Sequence, residues 1–272
     1  MSLVSTGWLM TNLNEVKIID CSWHMPQTKR NGFEEYNKQH IKNAIFFDLD
    51  KNSKKDTDLP HMLIDNKSWE KIVSNMGIKN DDQIIVYDNS DVISSCRCWY
   101  NFIYFGHDPS LIKVLDGGLK KWVNEKKPTT NEIVNIEPSH YSANEKIELV
   151  KNKAQINKNI STKEFLVIDA RSKERFEGIV PEPRKGLRSG SINNSCCLPF
   201  SELINADHTF IDKEKIFQKF SSIKSSLDKN IVFTCGSGVT AAVLALAYSL
   251  IDNKYNPVIL SLIHISEPTR RS

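Results

Sequence analysis

The chain has 272 residues, which is long for a single hydrophobic core and suits two domains of roughly 130 residues each. Its hydrophobic content of 40% and its charged content of 25% are those of an ordinary globular protein. The net charge of +3 is spread along the chain without a run of like charges, so we expect neither a nucleic-acid partner nor a lipid-binding patch.

The amino-terminal segment, residues 1–17, has no basic start followed by a long apolar run, so we expect no secretory signal and no membrane span. The six cysteines lack the even spacing of a disulfide framework, which favours reduced thiols and a cytoplasmic location. Cys96 with Cys98, and Cys196 with Cys197, lack the C-x-x-C spacing and the nearby histidines of a zinc site. We therefore expect no metal.

A weak internal repeat with an offset of about 148 residues runs through the chain. Apolar, β-rich runs at residues 16–23 and 84–90 have counterparts at residues 165–172 and 231–233. Because these runs come in the same order in both halves, the sequence predicts one domain written twice.

Longer amphipathic segments separate the apolar runs. One example is residues 68–77, a predicted helix with Ser68 as its amino-terminal cap and Gly77 at its end. Alternation of short strands with helices predicts an α/β fold, in which each domain is a parallel sheet with helices on both faces.

The most informative stretch is residues 231–242, IVFTCGSGVTAA, in which a cysteine links an apolar strand to a glycine-rich turn and a helix. Gly236 and Gly238 allow a tight turn, and residues 240–250 have the alanine and leucine content of a packed helix. Cys235 would then lie where backbone N–H groups converge at a helix amino terminus, which favours its thiolate. The alternative interpretation is an ordinary buried cysteine at the end of a strand.

The repeat also compares the two halves at this position. It aligns Asp88 with Cys235, and a carboxylate does not perform thiolate chemistry on sulfur. We therefore predict that the second half is catalytic and the first is supporting. Ligands of parallel α/β sheets bind beyond the carboxyl ends of the strands, where Cys235 is expected to lie.

Five segments together are typical of a known family: HIKNAIFFDLD, LPHML, VLDGGLKKW, PEPRKGLRSG and CGSGVTA. On these segments the chain resembles the tandem-domain sulfurtransferases of the rhodanese superfamily, and most closely the 3-mercaptopyruvate sulfurtransferases. The resemblance implies two rhodanese-like domains, at residues 1–130 and 151–272, joined by a polar linker at residues 131–150.

The resemblance ends near Leu260. Where the family continues with an Asp-Gly-Ser-Trp turn, this chain reads SLIHISEPTRRS, although the first half keeps the equivalent VLDGGLKKW. We interpret residues 261–272 as foreign or altered sequence. The loss of the turn would expose apolar surface beside the catalytic domain's last strand and could cost that domain stability.

The resemblance also implies how a substrate is held. Arg175 and Arg184 match the family's substrate arginines, which bind the carboxylate and keto oxygens, and Arg188 is a weaker candidate for the same pocket. A planar guanidinium can hold a carboxylate through two parallel hydrogen bonds. The turn after the cysteine completes the predicted substrate site with Gly236, Gly238, Val239 and Thr240.

Three further residues match a triad proposed in this family: Ser237, His61 and Asp50. A carboxylate orients an imidazole, the imidazole polarises the serine hydroxyl, and the hydroxyl could relay a proton. Each residue also has a simpler interpretation. Ser237 could cap the following helix, and His61 could be a loop histidine at the domain interface.

The implied reaction is a two-step sulfur transfer without a cofactor. Cys235 takes sulfur from 3-mercaptopyruvate as a persulfide, pyruvate leaves, and a small thiol, cyanide or thioredoxin then removes the outer sulfur. Backbone N–H groups would stabilise the anionic thiolate and persulfide by preorganised electrostatics.

Three alternatives share some of these features. A thiosulfate sulfurtransferase has the same fold and nucleophile, but usually carries a basic loop after the cysteine where this chain has neutral Gly-Ser-Gly-Val-Thr. A cysteine phosphatase needs an arginine at the position of Ala241. A non-catalytic rhodanese-like binding module would account for the altered carboxyl terminus.

Overall fold

A computed structural model of the chain describes residues 2–57, 59–182, 189–223 and 230–260. These residues form two compact units. The first takes the described residues within Met1–Thr57, Leu63–Ile147 and Asn205–Phe210, and the second takes those within Asp58–Met62, Glu148–Ile204 and Ile211–Ser272.

The first unit is built on a parallel sheet of five strands. In spatial order they are β1 (Leu3–Val4), β6 (Ile112–Leu115), β5 (Ile84–Tyr87), β2 (Lys17–Asp20) and β4 (Ala44–Phe46). A separate antiparallel pair joins β3 (His40–Ile41) to β7 (Thr129–Thr130).

The second unit repeats this sheet. Its parallel strands are, in spatial order, β8 (Val150–Lys151), β12 (Ile259–Leu260), β11 (Asn230–Thr234), β9 (Phe165–Asp169) and β10 (Cys196–Cys197). Both sheets arrange their strands in the same way, so that strands at equivalent places in the two sheets also follow one another in the same order along the chain. In chain order, β1, β2, β4, β5 and β6 correspond to β8, β9, β10, β11 and β12. The predicted duplicated α/β fold with parallel sheets is thereby confirmed.

Helices connect the strands of each sheet. In the first unit they are α1 (Thr6–Thr11), α2 (Gly32–Lys38), α3 (Asn66–Asn75), α4 (Ser95–Tyr104) and α5 (Gly118–Asn124). In the second unit they are α6 (Lys153–Thr162), α7 (Lys173–Glu177), α8 (Lys213–Ile223) and α9 (Val239–Ile251). Short 3-10 helices occupy Pro26–Thr28, Ile147–Leu149 and Phe200–Leu203. Within the described residues, no helix is long and apolar enough to span a membrane.

The predicted cap of α3 was wrong. The helix begins at Asn66, and the Asp65 carboxylate accepts the Ser68 N–H at 3.0 Å. Ser68 lies within the first turn, where its hydroxyl donates to the other Asp65 oxygen at 2.9 Å. Aspartate is as good a cap as serine, and its earlier position lets it begin the helix sooner.

The central strand of each sheet is enclosed by apolar packing. All four residues of β5 are buried, as are Ile231, Val232 and Phe233 of β11. Helix α9 covers the second sheet with an almost entirely buried sequence, which is why its apolar residues surround the helix rather than forming one stripe. This packing fixes both ends of the turn between β11 and α9.

Candidate functional site

Cys235 follows β11 directly and lies at the carboxyl end of the second sheet. The side chain is 3% exposed, between a strand held on both sides by its neighbours and a buried helix. Such a position fixes the direction of the thiol before any substrate arrives.

Two backbone N–H groups of the turn point at the cysteine sulfur. The Gly238 N–H donates to Sγ at 3.0 Å, and the Ser237 N–H lies 3.5 Å from it. Gly238 adopts φ +80°, a left-handed conformation that glycine reaches at little cost. Because these donors stabilise negative charge at the sulfur, the turn suits a thiolate or an anionic persulfide.

Helix α9 begins at Val239, and its amino-terminal cap is Gly238 without a side-chain hydrogen bond. The alternative in which Ser237 caps this helix is therefore wrong. Ser237 and Thr240 are half-buried around the turn, while Val239 is buried.

Arg175 lies against the backbone of this turn. It belongs to α7, and its Nη2 atom would be 3.2 Å from a side-chain carbon added at Gly236. The absence of a side chain at Gly236 therefore lets the guanidinium approach. The Nε of Arg175 is buried and has no hydrogen-bond partner among the described residues.

Glu182 binds the same Arg175 nitrogen that approaches Gly236, and it was missed by sequence reasoning. Arg175 Nη2 donates to Glu182 Oε2 at 2.6 Å, and Arg171 Nη1 donates to Glu182 Oε1. Burial alone would raise the pKa of Glu182, but the Arg175 hydrogen bond and the Arg171 charge outweigh burial and hold it below its usual value. The available signal was a carboxylate in PEPR beside a predicted substrate arginine.

Arg171 connects this cluster to the sheet. Its guanidinium donates to both carboxylate oxygens of Asp169, the last residue of β9, with Nη2 to Oδ2 at 2.6 Å. It also donates to the Gly190 carbonyl at 2.8 Å. The side chains of Arg171, Asp169 and Glu182 are all nearly inaccessible to solvent, so their charges are compensated within the protein.

Asp88 occupies the position in the first unit that Cys235 occupies in the second. It follows β5 directly, and its carboxylate accepts the N–H groups of Ser90 and Ser95, each at 2.8 Å. Burial raises the pKa of Asp88 above its usual value. The turn of the first unit therefore holds a carboxylate where the second holds a thiol.

The three triad candidates are divided between the two units. Asp50 belongs to the first unit and accepts the Trp23 indole N–H at 3.0 Å. His61 is buried with φ +54° and belongs, like Ser237, to the second unit. Their action as a triad stays a prediction.

Some predicted positions lie outside the described residues: Arg184, Arg188 and residues 261–272. Within the described ranges, no cluster of three or more histidine, cysteine or acidic side chains could hold a metal ion.

Cys197 is partly exposed at the end of β10, but burial and the Asp169 charge raise its thiol pKa to about 12. A thiol of that pKa is protonated at neutral pH and is a poor nucleophile.

Comparison with known families agrees with the duplicated fold. Residues 5–125 and 152–262 each match the family described as rhodanese-like domain. Fold and sequence thus define a protein with two rhodanese-like domains.

Individual relatives show which rhodanese-like proteins this chain is similar to. Thiosulfate/3-mercaptopyruvate sulfurtransferase 1 of Arabidopsis thaliana is 38% identical over 90% of this chain and 70% of its own length. The 3-mercaptopyruvate sulfurtransferase of Mus musculus is 33% identical over 94% of this chain and 89% of its own. The structure of SseA, a 3-mercaptopyruvate sulfotransferase from Escherichia coli, matches with a TM-score of 0.86 and 30% identity, covering 96% of this chain and 97% of SseA. The chain belongs to the rhodanese-like sulfurtransferase family.

Proposed function

We propose that this protein transfers sulfur from 3-mercaptopyruvate to a thiol or to cyanide, with Cys235 as the sulfur carrier. The observation that carries the proposal is the turn itself, where two N–H groups face Cys235 Sγ and Arg175 lies against Gly236. Relatives that carry 3-mercaptopyruvate in their names support it.

In the first step, the Cys235 thiolate attacks the sulfur of 3-mercaptopyruvate. The new S–S bond forms as the C–S bond breaks. The electron pair of the C–S bond stays on the carbon, which leaves as the enolate of pyruvate. Protonation of that carbon gives pyruvate and leaves a persulfide on Cys235. The Gly238 N–H, at 3.0 Å from Sγ, offsets the negative charge before and after transfer.

In the second step, an acceptor attacks the outer sulfur of the persulfide. The S–S bond breaks and Cys235 leaves as a thiolate, ready for another cycle. A thiol acceptor becomes a persulfide and cyanide becomes thiocyanate. Small thiols and thioredoxin are the acceptors we propose, which suits a reducing compartment such as the cytoplasm.

Arginines hold the donor in this proposal. The carboxylate of 3-mercaptopyruvate lies away from its reacting sulfur, so a cation set to one side of Cys235 can bind it without touching the sulfur. Arg175 has this placement beside Gly236, and its buried Nε has no partner among the described residues. Arg184 and Arg188 are the further arginines that we propose for this role.

The enolate needs a proton, and we propose that Ser237 delivers it with help from His61 and Asp50. A hydroxyl next to the sulfur carrier is suited to relay a proton when its own proton is replaced from an imidazole. That Ser237 does not cap α9 leaves its hydroxyl available for this task.

Intact-mass spectrometry tests the carrier. We expect incubation with 3-mercaptopyruvate to add one sulfur atom to the protein, and cyanide to remove it as thiocyanate. Cys235→Ser should show no addition. Cys197→Ser is the matched control, because it removes a partly exposed thiol of high pKa and should still gain the sulfur.

Thiosulfate is the second candidate donor, since the Arabidopsis relative is named for both donors. The neutral turn after Cys235 favours 3-mercaptopyruvate, because thiosulfate is a dianion that gains from cations at its reacting end. A higher kcat/KM for thiosulfate would reverse the preference. If neither donor loads Cys235, the chain is a binding module rather than a sulfurtransferase.

A further inference from the structure

We propose that Glu182 is a positioning residue, whose carboxylate holds the Arg175 guanidinium against the turn that carries Cys235. The inference rests on the proposed function, because it concerns how the donor's carboxylate is oriented. The residue acts through Arg175 and needs no contact with the substrate.

The contacts of Glu182 leave it little freedom. One oxygen receives Arg175 Nη2 at 2.6 Å and the other receives Arg171 Nη1, so the two arginines pull the carboxylate from different sides. Its side chain is only 1% exposed, whereas that of Arg175 is 23% exposed. A buried carboxylate of this kind is stable only while it is paired, which ties its position to both partners.

The sheet anchors this pair. Arg171 is held by Asp169, and Asp169 is in register with Thr234, the residue before Cys235. A continuous series of charged contacts therefore runs from the strand beside the nucleophile, through Arg171 and Glu182, to Arg175. This series keeps Arg175 at a fixed place relative to the sulfur.

Glu182 engages only part of the Arg175 guanidinium. It takes Nη2, while Nε is buried without a hydrogen-bond partner among the described residues. A buried donor that lacks a partner costs free energy, which an incoming carboxylate can recover by accepting from it. Holding the guanidinium in place beforehand also reduces the entropy lost when the substrate binds.

The first unit contains a similar arrangement around Arg30. Arg30 donates to both oxygens of Glu35, at 2.7 and 2.8 Å, and to the carbonyl of Asn89 at 3.0 Å. Asn89 follows Asp88 as Gly236 follows Cys235. Both units therefore use a glutamate to seat an arginine on the second residue after the strand, and in the second unit the Nε of that arginine has no partner among the described residues.

The test is Glu182→Gln, compared with Glu177→Gln. Glutamine keeps the size of the side chain but removes the charge, so the two arginines repel each other and Arg175 shifts. We expect KM for 3-mercaptopyruvate to rise about tenfold, as expected for weakening a charge-assisted hydrogen bond. The rate at which cyanide removes sulfur from preloaded protein should not change. Glu177 is an exposed residue of α7, the helix that carries Arg175, and its variant should behave as the wild type.

A double-mutant cycle separates positioning from general structural support. If Glu182 acts through Arg175, then Glu182→Gln should add no further rise in KM to an Arg175→Ala protein. An equal rise in both backgrounds would overturn the proposal. Glu182→Asp replaces this variant if the glutamine protein does not fold. Aspartate keeps the negative charge but is one methylene shorter, so it should also displace Arg175. An unchanged KM for Glu182→Asp would overturn the proposal as well.

Loading of the wild-type protein is scored separately by intact mass. A wild-type protein that gains sulfur, with an unchanged KM in Glu182→Gln, would leave the sulfurtransferase function standing and remove the positioning role. A wild-type protein that gains no sulfur from 3-mercaptopyruvate would overturn both.

Discussion

The turns after β5 and β11 show how one scaffold serves two side chains. In the first unit, backbone N–H groups of Ser90 and Ser95 hold the Asp88 carboxylate at 2.8 Å. In the second unit, the N–H groups of Ser237 and Gly238 face the Cys235 sulfur. A nest of N–H groups favours any anion, so the same kind of turn accepts a carboxylate in one unit and a sulfur in the other.

The arginines beside these turns differ in their partners. Arg30 donates to Glu35 and to the Asn89 carbonyl through Nε and Nη2, and its Nη1 lies 3.5 Å from Asp91. Arg175 shares Nη2 with Glu182 and keeps a buried Nε without a partner among the described residues. Both side chains are partly exposed, 29% for Arg30 and 23% for Arg175, so the difference between them lies in hydrogen bonding rather than in access to solvent.

The strongest way to break the comparison is to make the second turn resemble the first with Cys235→Asp. Because a carboxylate already fits such a turn at Asp88, we expect the variant to fold. Sulfur transfer should fall by about 10⁴-fold or more, as losses of a catalytic nucleophile do. Steady-state assays with 3-mercaptopyruvate and cyanide, together with thermal melting, measure both effects.

Asp88→Asn is the control in the other turn. It changes the equivalent residue of the first unit, and sulfur transfer should persist. Residual transfer in Cys235→Asp above a hundredth of the wild-type rate would show that another thiol carries the sulfur, and would end the contrast between the two turns.

A smaller effect separates the strand ends beside these turns. Asp20 ends β2 as Asp169 ends β9, but Asp169 is paired with Arg171, whereas Asp20 is bonded to the Ser22 N–H at 2.9 Å. Burial raises the pKa of Asp20 to about 6, against hydrogen bonds from Ser22 that lower it. The folded state thus binds this proton more tightly than the unfolded state does.

The sign follows from that difference. The contribution of Asp20 to stability is fully present below its ordinary pKa of about 4, declines as pH rises, and is lost above about 6. Asp20→Asn lacks this titration. We therefore expect the variant to gain up to about 3 kcal/mol relative to the wild type between about pH 4 and pH 7.

Urea unfolding of both proteins across that pH range measures the difference. The matched control is Asp81→Asn, which changes an exposed aspartate of the same unit and should follow the wild-type pH dependence. A constant stability difference between Asp20→Asn and the wild type would refute the raised pKa.

The duplicated fold and the position of Cys235 were predictable because their signals are local. Apolar runs mark β5 and β11, and glycines mark the turn after Cys235. The contacts of Glu182 were not, because they depend on burial and on Arg171 and Arg175 meeting around one carboxylate. The sequence places a glutamate beside a candidate arginine in PEPR, but it does not show which cations that carboxylate pairs with.

Two other features needed the structure. Asp65 and Ser68 are both good caps, and the sequence does not show which begins α3. The segment Asn205–Phe210 packs with the first unit, where the Phe210 N–H donates to Asp116 at 2.9 Å. This contact joins residues far apart in the chain, and hydrophobic periodicity carries no information on it.

The smallest expected difference lies at two equivalent helix starts. Ser5 follows β1 and accepts the Trp8 N–H at 3.1 Å, whereas Asn152 follows β8 and accepts the Gln155 N–H at 3.0 Å. Of these two caps, Asn152 alone has the reciprocal bond of a capping box, in which its own N–H donates to Gln155 Oε1 at 2.9 Å. We expect Asn152→Ala to cost about 1 kcal/mol and Ser5→Ala to cost less.

Thermal melting would show this as a loss of roughly 2 to 4 °C for Asn152→Ala and a smaller loss for Ser5→Ala. Asn152→Asp keeps the oxygen that accepts the Gln155 N–H and should retain most of the stability. An equal or larger loss for Ser5→Ala would mean that the reciprocal bond adds no stability to the second unit. Equal losses would show that the two units begin these helices equally well, so that their difference lies in the turns that hold Asp88 and Cys235.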